Sequence, residues 1–512
     1  MRGCRFLTGC TDGQREFLLA FVIFIVLAYC IFANTFANEW TMDDLPAIVN
    51  NPDVQSLNAF LANTRPGRPL REITFMMDHA LFGLYPAGYH IQQIFWHGLN
   101  AFLIFILVRR LSGDKIVPWI SSFLFLVHPV HVEVVANISH RKESLFLAFS
   151  LFSILAYMKY FDGNRRRGFW AAGSFGLALI ACLAKETAVV LPLIFLAYEL
   201  VFINRKDRLL LRYPLIAWLV LVSGVVVIFV WLGSIGGVEA VKRKMHLSLI
   251  VHANHFTHSE LTTWYPMVLK SWMFMLSKLF FPLNLAVEYV YPVPESWSDP
   301  WVVSSMLILI CYILGLYLSF RRQPVIFFAL VWCAVFFIPA SNLLPLSYFA
   351  ADRYLYAPSI GFFIIIGVFV KRYLSGFPLV MATALLMLIL TLSAFTWKQN
   401  TVWNSTFTLY TNAVRVSPRS AFALSNLGWQ YYLRNDVRES LNLLQKSAEV
   451  NPYFPVPLYN LASIYESFGD REKAIYYYSK SLRTSHYLPG FFDPVAKSIK
   501  EKLRKKYGVS TE

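Results

Sequence analysis

The chain has 512 residues, of which 57% are hydrophobic and only 15% are charged, and its mean hydropathy is +0.50. This composition is too apolar for a soluble globular protein and is typical of a chain that crosses a membrane many times. The net charge of +16 does not indicate nucleic-acid binding, because Lys and Arg fall in short clusters between apolar segments, as topology signals do. The six cysteines form no C-x-x-C pair, so neither a disulfide framework nor a zinc site is predicted.

Eleven apolar segments are long enough to cross the hydrocarbon core as helices, which takes roughly 20 residues each. They are residues 16–38, 88–108, 116–137, 143–160, 168–184, 187–203, 213–233, 301–320, 324–340, 355–370 and 378–396. With eleven spans the basic clusters between them all fall on one side, which the positive-inside rule makes cytoplasmic. The stretch Thr262 to Pro282 is interpreted as an amphipathic helix at the membrane interface, because Lys270 and Lys278 interrupt it.

This topology places loops 39–87 and 234–300, and all residues after 397, on the external or lumenal side. The first of these loops contains the adjacent acids Asp43 and Asp44. An acidic pair beside a membrane helix is costly to place there without a function. One carboxylate can act as a general base on an acceptor hydroxyl, while its neighbour changes its pKa or holds a cation. A solvated loop that caps the next helix is the alternative interpretation.

Histidine and glutamate residues occur close together on the same predicted side, as His128, His131 and Glu133. Imidazole and carboxylate groups at these spacings can ligate a divalent cation or orient a substrate. Both interpretations stay open, because Pro129 breaks the helix between the two histidines.

Three basic residues, Arg141, Lys185 and Arg353, lie at external helix ends, where the topology rule disfavours positive charge. Each has an acidic residue close by in the sequence; these are Glu143, Glu186 and Asp352. Because arginine can hold a phosphate through two parallel hydrogen bonds, this concentration of cations indicates a phosphate pocket. Ion pairs that only satisfy helix ends are the alternative.

The residues after 397 show a repeat with a period of 34. Leu427, Gly428, Tyr431, Ser440, Leu444 and Pro452 recur as Leu461, Ala462, Tyr465, Ala474, Tyr478 and His486. This is the period and pattern of tetratricopeptide repeats, in which small residues lie where paired helices touch. The pattern predicts a soluble α-solenoid at 398–512, with repeats near 421–454 and 455–488, that binds a peptide or protein partner.

Motifs distributed over nearly the whole chain resemble those of the transmembrane and tetratricopeptide-repeat (TMTC) proteins and their bacterial relatives. They are Asp43-Asp44, Asn51-Pro52-Asp53, Arg68-Pro69-Leu70, Pro86-x-Gly88-Tyr89-His90, His128-Pro129-x-His131-x-Glu133, Arg141-x-Glu143, Lys185-Glu186 and Asp352-Arg353-Tyr354-Leu355-Tyr356-x-Pro358-Ser359-x-Gly361-Phe362. The resemblance implies an all-α protein: a polytopic helix bundle of the GT-C glycosyltransferase type at 1–397, followed by the repeat domain at 398–512.

The resemblance also implies an activity, the transfer of a sugar such as mannose from a polyprenyl-phosphate donor to a protein or glycan acceptor. It gives the catalytic role to Asp43 or Asp44, with a slight preference for Asp43, and donor-phosphate binding to Lys185, Arg353 and Arg141. Residues expected to orient the substrate are His90, His128, His131, Glu133, Glu143, Glu186 and Glu288, the last standing where the family more often has Asp. No cofactor is required by this chemistry, and a divalent cation stays an open question.

Other interpretations of the same features remain. The short repeat array favours a bacterial inner-membrane protein with periplasmic repeats; in a eukaryote the repeats would be in the lumen of the endoplasmic reticulum. A polymerase or ligase that uses lipid-pyrophosphate-linked saccharides, or a non-enzymatic scaffold that displays the repeats, are the alternative functions. A transporter is disfavoured, because the predicted spans carry few polar residues at mid-membrane depth.

Overall fold

A computed structural model describes residues 12–63, 67–163, 166–212, 260–290, 294, 296–344, 346, 348–487 and 492–509. The regular structure of these residues is helical, which confirms the predicted all-α class over the part of the chain that is described. The predicted span 213–233 and the histidines at 246, 252, 255 and 258 lie outside the described residues. The chain divides into two compact units.

The first unit consists of Met1–Ile228, Leu309–Pro339 and Asp352–Ser405. Its longer helices are Asp12–Phe32, Pro69–Phe82, Pro86–Ser112, Val117–Val127, Arg141–Tyr160, Arg167–Ala184, Leu191–Phe202, Pro324–Phe337, Ser359–Leu374 and Pro378–Asn400. Short helical turns connect them, at Ala33–Ala37, Leu45–Val49, Pro52–Gln55, Leu57–Ala62, Pro129–His131, Val132–Ala136, Ile138–His140, Glu186–Val190, Leu209–Arg212, Ile338–Ala340, Asp352–Leu355 and Thr401–Trp403.

Five helices of the described part of the chain are long and apolar enough to cross a membrane by themselves. Among the described residues they are Gly13–Ala37, Pro86–Ser112, Arg167–Ala184, Pro300–Arg322 and Pro378–Trp403. The other predicted spans in the described part of the chain are also helical. Arg141–Tyr160 is one continuous helix that is less apolar than these five, and the remaining ones are shorter or interrupted. The total of eleven spans therefore stays a prediction.

The helices of the first unit approach one another closely at small residues. A side chain at Gly361 would place its Cβ 2.2 Å from the carbonyl oxygen of Ala329, on the neighbouring helix Pro324–Phe337. At Gly98 a Cβ would lie 3.1 Å from the Cβ of Ala28. Small residues at such crossings allow the close van der Waals packing that holds membrane helices together.

The segment predicted as one span at 116–137 is in fact two helices, with a bend of 53° between Val117–Val127 and Pro129–Ala136. Pro129 has no N–H group to donate to Phe125, so the regular helix cannot continue through it. The structure has the break at Pro129, where the sequence analysis expected the helix to be interrupted.

The second unit consists of Phe229–Ile308, Ala340–Ala351 and Thr406–Glu512. Its helices are Glu260–Phe280, the first part of Pro300–Arg322, Thr406–Val416, Ala421–Leu433, Val437–Val450, Pro455–Ser467, Arg471–Ser485 and Asp493–Tyr507. The stretch 281–290, which the sequence assigned to a loop of the membrane domain, packs here: Asn412 donates to the Leu285 carbonyl at 2.9 Å. The predicted domain boundary at 397/398 stays a prediction.

Two helix pairs in the second unit repeat the predicted period. Ala421–Leu433 packs on Val437–Val450, and the pair Pro455–Ser467 and Arg471–Ser485 begins 34 residues later at each helix. Equivalent aspartates, Asp436 and Asp470, accept from the backbone N–H three residues ahead and cap the second helix of each pair. The spacing agrees with the period read from the sequence.

Candidate functional site

The loop that carries the acidic pair has a strained backbone. Met42 has a φ of +42°, a conformation that side chains with a Cβ seldom adopt and that occurs mostly where the surrounding structure enforces it. Directly after the pair, Leu45–Val49 forms a π-helical turn. Irregular turns of this kind are frequent at functional sites.

The two aspartates of the pair have opposite environments. Asp43 is exposed and makes no side-chain hydrogen bond or ion pair with the residues that the structure describes. Asp44 is only 1% exposed, and its carboxylate accepts from the N–H of Thr41 at 3.2 Å and from the N–H of Ser139 at 2.7 Å. Burial raises the pKa of Asp44 to about 7, although these hydrogen bonds oppose the rise.

The contact between Asp44 and Ser139 joins the first loop to a second segment of the site. Ser139 lies in the turn Ile138–His140, directly before the helix Arg141–Tyr160. The Asn137 side chain also accepts from the Ser139 N–H and hydroxyl, at 3.1 and 2.6 Å. Asp44 therefore fixes the loop against the segment that carries Arg141 and the residues after it.

Arg141 is fully buried, and its guanidinium is occupied by acceptors of the protein. It donates to Asp78 at 2.5 Å, to the Tyr89 carbonyl at 2.8 Å and to Gln93 at 3.3 Å. Its charge also lies over the Phe75 ring, 4.7 Å from the ring centroid. The predicted contact of Arg141 with phosphate stays a prediction, and in this conformation the side chain positions neighbouring segments.

Three other cations of the first unit pair with carboxylates that are distant in sequence. Lys185 donates to both oxygens of Glu143, at 2.7 and 2.8 Å. Arg68 donates to both oxygens of Glu186, each at 3.2 Å. The Arg353 guanidinium pairs with Glu133, which also accepts from the Arg353 N–H at 2.8 Å.

These pairs differ from the sequence neighbours on which the prediction rested. Glu186 follows Lys185 in the chain but pairs with Arg68, and Glu143 lies beside Arg141 but pairs with Lys185. Burial opposes ionisation of Glu186, but Arg68 and Lys185 outweigh it and hold its pKa below the usual value. The structure thus brings Lys185, Glu143 and Glu186 to one site, with different partners from those suggested by adjacency.

His131 satisfies the backbone of the broken helix. Its Nδ1 contacts the Phe125 carbonyl at 2.7 Å and, because a carbonyl can only accept, must be the protonated nitrogen. The next carbonyl, of Leu126, is contacted by Nε2 of His97 at 3.1 Å, and that of Val127 accepts from the Thr396 hydroxyl at 2.6 Å. Three successive carbonyls freed by the break are therefore hydrogen-bonded to side chains.

The other histidine of this motif also serves the break, because His128 Nδ1 accepts from the N–H of Val130 at 3.3 Å. Within the described residues, no group of three His, Cys, Asp or Glu side chains lies close enough to hold a metal ion. The substrate-orienting roles predicted for His128, His131 and Glu133 stay predictions, but the structure gives each of them a contact within the protein.

The remaining predicted residues are both buried. His90 is 1% exposed, and neither ring nitrogen has a hydrogen-bond partner in the described part of the chain. Glu288 is 0% exposed and belongs to the second unit, where its carbonyl accepts from Ser417 at 3.1 Å. Their roles in orienting a substrate stay predictions.

Three residues of this site were not assigned from the sequence: Arg68, Ser139 and Lys142. Arg68 lies in a loop and Lys142 lies between Arg141 and Glu143. Both belong to motifs in the sequence, but the sequence does not show which residues they approach in space. Ser139 contributes its backbone N–H, which no side-chain pattern reveals. The one sequence signal that indicated a site here was the excess of cations on one predicted side of the membrane.

The chain is similar to curated protein O-mannosyl-transferases of the TMTC family, which confirms the resemblance found in the motifs. TMTC3 of Mus musculus is 27% identical over 512 aligned residues, covering 90% of this chain and 54% of that protein. F38B6.6 of Caenorhabditis elegans is 24% identical (81% and 60% covered), and TMTC4 of Homo sapiens is 23% identical (78% and 62% covered).

The chain spans about half the length of the curated relatives it matches. No sequence-family profile matches it, and no solved structure does.

Proposed function

We propose that this chain is an integral membrane glycosyltransferase that transfers a mannosyl or similar hexosyl group from a polyprenyl-phosphate donor to a protein hydroxyl. The relatives that carry the name protein O-mannosyl-transferase support the reaction class. In this proposal the reaction takes place on the periplasmic or lumenal face, and the carboxy-terminal helix pairs are tetratricopeptide repeats that recruit the acceptor or a partner protein. We assign the proposed activity to the GT-C class of glycosyltransferases and its active site to the membrane domain.

The observation that carries the proposal is the exposed carboxylate of Asp43 in a strained loop that Asp44 fastens to Ser139. Three residues after Ser139, the chain enters the cluster of cations formed with Lys185 and Arg353. In this proposal the base for the acceptor and the site for the donor phosphate are joined through the hydrogen bond between Asp44 and Ser139. Such preorganisation is what glycosyl transfer from a phosphate requires.

In the proposed reaction, the Asp43 carboxylate accepts the proton of the acceptor hydroxyl. The hydroxyl oxygen forms a bond to the anomeric carbon of the sugar, while the bond between that carbon and the phosphate oxygen breaks. The electron pair of the broken bond stays on the polyprenyl phosphate, whose charge Lys185 and Arg353 stabilise. Because phosphate is a good leaving group, the scheme requires no metal or organic cofactor.

Asp44 and Arg141 support this chemistry without contacting the reacting atoms. Asp44 holds the loop to Ser139, and Arg141 joins the helix Pro69–Phe82, through Asp78, to the start of Arg141–Tyr160. Among the substrate-orienting residues predicted from the sequence, Glu133 and Glu143 set the positions of Arg353 and Lys185.

The test is transfer by the purified full-length chain from a short-chain polyprenyl phosphomannose to a Ser- and Thr-rich protein acceptor. We expect Asp43→Asn to reduce turnover by about 10²- to 10⁴-fold, the usual contribution of a general base, without a change in thermal stability. Glu39→Gln, an exposed acid of the same loop, is the matched control and should retain activity.

Asp44→Asn distinguishes the two acids of the pair. We expect it to lower both turnover and thermal stability, because an amide NH₂ would face one of the N–H donors that the carboxylate now satisfies. Full turnover by folded Asp43→Asn would refute the base assignment. Transfer only from a diphosphate-linked saccharide would instead support a polymerase or ligase, and no transfer from either donor would support a scaffold.

A further inference from the structure

Lys142 has a half-buried ammonium group without a partner. It lies on the first turn of the helix Arg141–Tyr160, just before the predicted span that begins at 143. Its nitrogen forms no hydrogen bond or ion pair with any described residue, although the cations on either side of the site are all paired. A partly desolvated charge in this state costs free energy unless an anion binds to it.

The surroundings of Lys142 are dominated by other cations. Burial is the main cause that lowers the pKa of Lys142 to about 7, and the positive charges of Arg68, Arg353 and Lys185 lower it further. The negative charge of Glu143 opposes this shift. Each of these three cations is neutralised by its own carboxylate. The ionisable groups around Lys142 include Arg68, Glu133, His140, Glu143, Lys185, Glu186, Arg353 and Tyr354, together with the chain neighbours Arg141 and Asp352.

The charge of this group can be counted from its contacts. Arg68 pairs with Glu186, Lys185 with Glu143, and Arg353 with Glu133. Burial, with the nearby cations, holds the pKa of His140 well below its usual value, so that side chain is neutral. The three pairs cancel, and the protonated Lys142 adds one positive charge to them.

We propose that Lys142 binds the phosphate group of the lipid-linked sugar donor and selects a phosphodiester with a single negative charge over a diphosphate. A phosphodiester neutralises the charge of Lys142, whereas a diphosphate diester carries one negative charge more than Lys142 can neutralise. In a partly buried site that excess charge is unfavourable. The identity of this ligand rests on the proposed function, but the binding of a charged phosphodiester at Lys142 does not.

A consequence is that binding depends on pH. Lys142 is partly neutral near pH 7 when the site is empty, and it must be protonated to bind the phosphate. A phosphodiester keeps its single charge throughout the range from pH 6 to pH 8, so a change in affinity over this range reports the protein and not the ligand. Affinity should fall about tenfold between pH 6 and pH 8.

The experiment measures the binding of dioctyl phosphate, a phosphodiester without a sugar, to the full-length chain in phosphatidylcholine nanodiscs at pH 6 and pH 8. Lys142→Gln should bind about 10- to 100-fold more weakly at pH 6, the effect of losing a charge-assisted hydrogen bond, and should show no pH dependence. Lys142→Arg should keep the affinity and lose the pH dependence, because a guanidinium stays charged. Lys159→Gln, in the last turn of the same helix, should behave as wild type.

A P1,P2-dioctyl diphosphate measures selectivity: wild type should bind it more weakly than dioctyl phosphate. If Lys142→Gln binds dioctyl phosphate as wild type does, or if wild type prefers the diphosphate, the proposal is overturned. The transfer assay tests the proposed function independently of this binding measurement. Loss of dioctyl phosphate binding in Lys142→Gln, together with no transferase activity in wild type, would uphold the phosphate site and reject the proposed function.

Discussion

Thr396 provides the sharpest test of how the broken helix is held. Its hydroxyl donates at 2.6 Å to the Val127 carbonyl, 269 positions earlier in the chain, and both residues are fully buried. The carbonyl has no alternative helical donor, because the N–H of His131 bonds to the His128 carbonyl instead. Thr396→Val keeps the shape of the side chain and removes only this donor.

The expected loss follows from that geometry. A hydrogen bond contributes about 0.5–1.5 kcal/mol net, and a buried acceptor left without a donor costs about 1–3 kcal/mol. Hydrogen bonds between membrane helices contribute about 0.6 kcal/mol on average and up to about 1.7. We therefore expect Thr396→Val to reduce the free energy of unfolding by about 1–2 kcal/mol.

Thr383→Val is the matched control, on the same helix, Pro378–Asn400. The Thr383 side chain is exposed, and its hydroxyl donates to Leu379 of its own helix at 2.8 Å, so the substitution should change stability by less than about 0.5 kcal/mol. Both variants exchange the same residue types, so the change in helix propensity is common to both. The measurement is thermal and denaturant-induced unfolding of the full chain in detergent, followed by tryptophan fluorescence. Equal stability of the two variants would show that the capping of the break contributes nothing.

Two further predictions concern charge. Asp78→Asn leaves Arg141 buried beside a neutral partner, so we expect a loss of about 3–5 kcal/mol in unfolding free energy and a poor yield of folded protein, measured by thermal unfolding. Burial opposes ionisation of Glu466, but hydrogen bonds from Lys502 and others lower its pKa to about 2. Because this is below the unfolded value, its stabilisation is present above pH 4.5 and is lost between about pH 4.5 and pH 2. Hydrogen exchange in 455–507 should therefore accelerate in that range for wild type but not for Glu466→Gln, whereas the exposed control Glu472→Gln should follow wild type.

The candidate site could be predicted only in part from the sequence. The acids and bases were visible as residue types at helix ends, but their pairing was not, since Glu133 and Arg353 are 220 positions apart. Adjacent residues such as Lys185 and Glu186 bind different partners in the folded chain, namely Glu143 and Arg68. The sequence also does not show that Asp43 is exposed and Asp44 is buried. That difference arises because the folded chain brings the Ser139 N–H to Asp44 and not to Asp43.

The local structure of this protein follows from its sequence. Runs of apolar residues specify helices, a proline specifies where one must break, and a 34-residue period specifies helix pairs, because each depends on residues close together in the chain. Which groups meet depends on the packing of distant helices: Thr396 lies at the end of the broken helix, Asp44 at Ser139, and Lys142 among three neutralised cations. These contacts depend on how distant helices pack, and the acidic pair became two distinguishable residues only through them.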